Sequence, residues 1–372
     1  MDAAAAPSDI SAHTYCISGI QVHVYGLDQL RALLDPPSSS SSPSSRLTSL
    51  SILHTLHPRL QTHAYMAPII RQCLDDHYQP HAATTSGLLG ISFDQRNHGA
   101  REVSPLANYA FTSPRLPHPH AHEPNPTHAM DMLGIYAGTT LDLGLIIDLL
   151  PSYLEFHFNP PSTTAPYIPL PPITQHIALG VSLGGHAAYL AALHLPKITS
   201  AIIVIGCPDY PALMLHRLKQ CKLLPPTDNT ISTRYLPNSF LDLITSTPPS
   251  LSSHPQLAGS PLLTRPGIAL LDALAGKKLL VLSGKQDRLV PAELASGFVQ
   301  SVRKGVQQVG RALFGTGAGI REVLFEGVGH EFTEGMAVEV RGFVRERMRE
   351  VGPVSMGTYG SGGKVNGAVC HL

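Results

Sequence analysis

Neither sign of charge dominates this sequence. Lys and Arg number 26, Asp and Glu number 26, and charged residues are only 14% of 372. A nucleic-acid partner or a polybasic membrane contact draws on a cationic field, so neither is expected. Cysteine is scarce as well: Cys16, Cys73, Cys207, Cys221 and Cys370 are scattered and form no CxxC pair. An odd, dispersed set argues against a disulfide framework or a zinc site and for reduced thiols in an intracellular compartment. The opening MDAAAAPSDISAHTY lacks a basic start followed by an apolar run, so no secretory leader is expected. No apolar run reaches the length of a membrane span; the longest, Leu141 to Leu150, is interrupted by Asp142 and Asp148.

What is present is a globular composition, 43% hydrophobic, with 33 prolines and 32 glycines. Short β-type runs alternate with helical patterns, the signature of an α/β fold on a mostly parallel sheet. Strands are expected within Tyr15 to Leu27 and at Leu50 to Leu56, Gly87 to Phe93, Ile177 to Leu179, Ala201 to Ile205, Lys278 to Leu282 and Glu322 to Phe325. Helices are expected at Ala67 to Asp76, Asp131 to Leu150 (stopped by Pro151), Gly185 to Leu195 and Met336 to Met348. PPSSSSSPSS, at 36–45, reads as a flexible insertion, and the glycine-rich 351–372 as a disordered tail. The stretch 206–276 is too long for a simple crossover and reads as a cap above the sheet. The remainder, 1–350, reads as one domain.

The chemistry is concentrated in HIALGVSLGGHAAYL, His176 to Leu190, where an apolar strand passes into a helix at Ser182. A nucleophile on such a turn takes a strained backbone with positive φ. Residues two places either side then have no room for a Cβ, hence Gly180 and Gly184. The turn also puts Ser182 at a helix N-terminus, whose free N–H groups suit a developing oxyanion. A serine hydroxyl needs a base, and the base an orienting acid. LLVLSGKQDRLVP places Asp287 after one late strand, and VLFEGVGHEFT places His330 after the last. Asp209, in IGCPDY, is the rival acid.

GVSLGG, SGKQDRLVP and GVGHEF occur in an order that resembles the α/β-hydrolase superfamily, over about Ser51 to Met348. Through SFDQRNHGAR the chain is also similar to uncharacterised fungal hydrolases. The resemblance implies an α/β-hydrolase fold: a mostly parallel central sheet flanked by helices, with an inserted cap. It implies a Ser182, Asp287, His330 triad that cleaves a carboxylic ester, thioester or lactone through an acyl-enzyme, on a small-molecule acyl substrate and without a cofactor. A peptidase or amidase would use the same triad, and a non-catalytic ligand-binding protein is the alternative of another class.

One oxyanion donor is expected from Leu183. The other, by the resemblance, follows a His-Gly pair after the Leu50 to Leu56 strand, but this chain has His57-Pro58, and proline offers no N–H. Arg59 is assigned the role, with Leu60 as the alternative; its side chain is expected to be a solvated surface arginine, the alternative being a cation at the pocket mouth that attracts an anionic substrate. Asp94 and Arg96 of DQRNHGAR are expected to brace neighbouring loops. The alternating His118, His120 and His122 do not require a metal, and none is expected. Cys370-His371-Leu372 fits a relaxed peroxisomal address, small, basic, then leucine. Recognition by an import receptor is therefore set against residence in the cytoplasm.

Overall fold

The computed structural model describes residues 10–34, 47–79, 85–111, 124–162, 164–228, 234–246, 272–309 and 319–350. Strands β1 (Ala12–Ile17) and β2 (Ile20–Tyr25) form a hairpin, followed by α1 (Leu27–Leu34). Then come β3 (Ser49–Leu56), α2 (Ala67–His77), β4 (Ser86–Phe93), α3 (His128–Phe158), β5 (Ile173–Val181) and α4 (Leu183–His194). The second half carries β6 (Ile198–Val204), α5 (Tyr210–Gln220), α6 (Asn238–Ser246), β7 (Lys278–Gly284), α7 (Glu293–Val309), β8 (Gly319–Phe325) and α8 (Glu334–Glu350).

The eight strands form one sheet in the order β1-β2-β4-β3-β5-β6-β7-β8. β1 with β2 and β2 with β4 are antiparallel; every other pairing is parallel. β3 and β4 are buried at every position, as strands covered on both faces should be. Alternate residues feed two separate cores. Leu50, Ile52, Ala201, Ile203 and Val281 pack beneath α1, α3, α4, α5 and α7. Leu53, Ile202, Val204, Leu280 and Leu282 pack beneath α2 and α8. Helices thus cover both faces, the α/β-hydrolase architecture expected from the motifs, and the loops at the carboxyl ends of β3 to β8 share one edge.

The helix expected to stop at Pro151 does not. α3 runs on to Phe158 with Pro151 inside it. A proline removes one backbone N–H from the helix, but here Leu154 and Phe158 beyond it are buried in the same core as Ile146 and Leu150. Their burial outweighs one missing bond, since a fully buried large apolar side chain contributes about 1.5–3 kcal/mol. By length and composition alone α3 would reach across a bilayer; most of it is buried in this structure, where it packs on α4. Within 206–276 the described residues carry α5 and α6; 229–233 and 247–271 lie outside the described residues, as do 36–45, His118, His120, His122 and the tail with Cys370, His371 and Leu372.

α3 is fastened to the loop after β4 through Asp142, which is 7% exposed. Its carboxylate accepts from Arg96 Nε and Nη2, at 3.1 and 2.9 Å, and from Arg101 Nη2 at 2.9 Å. Removing the buried carboxylate leaves two guanidinium groups that still reach water. D142A should therefore lower unfolding stability by about 1–2 kcal/mol, read from urea denaturation; a loss near zero would show that the loop is held by other contacts.

Candidate active site

The elbow is built from backbone crowding. β5 ends at Val181, α4 begins at Leu183, and Ser182 between them sits at φ 53°, ψ −109°. Such a conformation costs a non-glycine residue of order 1–3 kcal/mol and persists only where the surroundings impose it. Here the Ser182 N–H donates to Val204 O on β6 at 2.9 Å. A Cβ on Gly180 would fall on the Gly184 carbonyl, and one on Gly184 on the Leu56 carbonyl. Both glycines are therefore required by close backbone approach. Ser182 is 8% exposed.

The structure brings Ser182, His330 and Asp287 into one hydrogen-bonded relay. Asp287 Oδ1 accepts from the Leu289 and Val290 N–H groups, both at 2.9 Å. Its Oδ2 lies 2.7 Å from His330 Nδ1. The carboxylate side chain is wholly inaccessible, so its orientation is fixed. An Nδ1–H donating to Asp287 leaves Nε2 with a lone pair, and Nε2 stands 2.8 Å from Ser182 Oγ, within hydrogen-bond reach for removal of the hydroxyl proton. The loops after β7 and β8 are zipped together by Lys285 N–H to Phe325 O at 3.0 Å and Gln286 N–H to Val328 O at 2.9 Å. Gly284 permits the approach, since a Cβ there would strike the Val328 carbonyl.

The rival acid Asp209 does other work. It caps α5, its Oδ1 accepting from Ala212 N–H at 3.0 Å, and burial raises its pKa to about 6.

On the opposite side of the elbow, the loop after β3 lies against Gly184 through its Leu56 and His57 carbonyls. His57, which the sequence marks only by the missing glycine after it, is the clamp of this loop. Its Nδ1–H donates to Pro58 O at 2.8 Å, its Nε2 accepts from Gln95 N–H at 3.0 Å, and its carbonyl accepts from the Gln95 side chain. Both ring nitrogens are thereby assigned in the neutral form, and burial lowers the pKa to about 4. Leu183 is the first residue of α4, so its N–H has no helical partner. The Arg59 side chain is a correction: it is not a solvated surface arginine. It turns inward, Nη1 donating to Asn108 O at 2.6 Å, and its pKa falls to about 10 through burial and the nearby Arg217. Asp94 braces as expected, accepting from the backbone N–H groups of His63 and Ala100 and from His63 Nδ1. Among the described residues no group of three His, Cys, Asp or Glu is disposed to hold a metal.

Asp209 yields a stability prediction. A carboxyl whose folded pKa lies near 6, above its ordinary 3.8, binds its proton more tightly in the folded state. Its contribution is greatest below about pH 4 and is lost as pH rises through about 6. Asn keeps the capping acceptor and removes the charge. Relative to wild type, D209N should gain up to about 3 kcal/mol between pH 4 and pH 7, measured by denaturant titration at both pH values. A wild-type-minus-variant difference that is flat with pH would show that the carboxyl is not shifted.

No family model matches the chain, and no curated protein matches its sequence. Solved structures do. It is similar to TT1662 from Thermus thermophilus, with a TM-score of 0.51 at 16% identity over 91% of this chain and 98% of that one. It is also similar to the Pyrococcus furiosus esterase Pf2001, with a TM-score of 0.44 at 12% identity over 91% and 92%. For Est1E from Butyrivibrio proteoclasticus, solved with ferulic acid bound, the score is 0.44 at 13% identity over 91% and 98%. The likeness is one of fold, and it carries nothing of the expected similarity to fungal hydrolases. The chain has the α/β-hydrolase fold.

Proposed function

We propose that this protein is a serine hydrolase that cleaves a carboxylic ester, or a related thioester or lactone, through an acyl-enzyme. The observation that carries the reading is the unbroken relay from Ser182 Oγ through His330 to the inaccessible Asp287. As Oγ attacks the carbonyl carbon, its proton passes to His330 Nε2, and Asp287 holds the resulting imidazolium by its Nδ1–H. The charge on the former carbonyl oxygen is stabilised by the Leu183 N–H and by a donor from the loop after β3, assigned to Arg59. Collapse expels the alcohol, which takes the proton from Nε2. Water, deprotonated by the same nitrogen, then releases the acid and restores Ser182. These side chains and water supply every proton and electron pair, so the reaction calls for no cofactor. The stretch 206–276 is assigned to a cap over the acyl site.

Replacing Ser182 or His330 by Ala should lower kcat by about 10⁴-fold or more with KM little changed, and D287A somewhat less. An ester and its matched amide, assayed side by side, separate the esterase from a peptidase. If D209A proves more damaging than D287A, the acid is misassigned; if S182A keeps full turnover, the reading fails.

A further inference from the structure

A cavity of about 260 Å³ lined by Arg59, Phe111, His128, Arg217, Lys222 and Leu289, among others, adjoins the loop that carries Asp287. Three features tie it to the site. Arg59 follows the loop that rests on Gly184. Leu289 donates its N–H to the Asp287 carboxylate. His186, in the first turn of α4, lies within the electrostatic reach of Arg217, His330 and Arg59 together.

The lining carries three cations and no carboxylate. Arg217, on α5, is 5% exposed. Its Nη1 donates to His128 Nε2 at 2.8 Å and lies 2.8 Å from Met132 Sδ; its Nε has no hydrogen-bond partner among the described residues. His128 cannot neutralise it. Its Nδ1–H donates to Tyr109 O at 2.8 Å, so Nε2 is the bare lone pair that accepts from the guanidinium, and burial holds the ring in its neutral form. Arg59 donates to a neutral carbonyl. Neither arginine is in an ion pair among the described residues. The adjoining sequence outside them offers little: 112–123 holds one carboxylate, Glu123, and 229–233 and 247–271 hold none. A buried guanidinium such as Arg217, given only neutral partners among the described residues and set near the half-buried Arg59, is costly, a cost that an incoming anion removes.

We propose that Arg59 and Arg217 form an anion-binding subsite beside Ser182, and that the substrate is an ester or thioester carrying a carboxylate of its own. This rests on the hydrolase reading. A carboxylate matches the planar fork of a guanidinium, and the apolar walls at Phe111 and Leu289 suit the short carbon chain between it and the reacting carbonyl. The backbone of Arg59 is assigned to the oxyanion and its side chain to the subsite, so one residue would fix the spacing between the two ends of the substrate.

The test pairs the monomethyl esters of succinic, glutaric and adipic acids with the methyl esters of butyric, pentanoic and hexanoic acids, followed by alkali consumption. In at least one pair kcat/KM should favour the charged ester by about tenfold or more, the size of a charge-assisted hydrogen bond. In R217M and R59M that preference should fall to about unity. Both esters are read on the same preparation, so a loss of folded enzyme cancels. Independently of turnover, calorimetry should show the preferred half-ester binding S182A and not S182A/R217M. No turnover of any ester, with Arg217-dependent binding retained, would defeat the hydrolase reading and leave the subsite standing. Preference for the uncharged ester in every pair, with calorimetric binding unaffected by R217M, would overturn the subsite and leave the triad reading intact.

Discussion

The site depends on how closely three backbones approach at the end of β5. The elbow rests against the loop after β3 on one side and is bonded to β6 on the other. There is no space for a Cβ at Gly180 or Gly184, and that crowding holds Ser182 at positive φ. The strain at one residue is sustained by the parallel pairing of β3, β5 and β6, strands buried on both faces. The cores above and below the sheet therefore bear directly on the aim of a single hydroxyl group.

The same economy governs the acid and the base. Asp287 and His330 arrive on separate loops after β7 and β8, and those loops are joined by backbone bonds before any side chain meets. The carboxylate is then saturated by two N–H donors and the imidazole. His57 acts comparably on the oxyanion side: a buried, neutral ring fixes the loop through both nitrogens. Beside the acid's loop, among the described residues, the buried Arg217 has only neutral partners and Arg59 donates to a carbonyl.

Much of this was legible in the sequence, and the remainder was hidden for physical reasons. Ser182, Asp287 and His330 could be found because each sits at the end of a readable apolar strand, and chain order supplied their relation. Strand existence was also readable, although β5 begins four residues earlier than the apolar run, at Ile173, where pairing with β3 extends it. The continuation of α3 past Pro151 was not readable, because a local rule was overridden by burial of Leu154 and Phe158 much farther along the helix. Arg217 carries no motif at all. Its position on a helical stretch of mixed composition suggests a surface residue, and only its contacts with His128 and Met132 of α3 and the absence of a facing acid among the described residues make it notable. In the sequence His57 stands out only as a departure from a pattern, whereas the structure shows a clamp whose partner, Gln95, lies on another loop.

The central claim is that Ser182 is a nucleophile activated by His330. The most direct measurement is intact-protein and peptide mass after exposure to a fluorophosphonate. The account predicts one covalent phosphonyl adduct, mapped to the peptide that contains Ser182, absent in S182A and much slower to form in H330A. No adduct on wild-type protein, or one that persists in S182A, would contradict it.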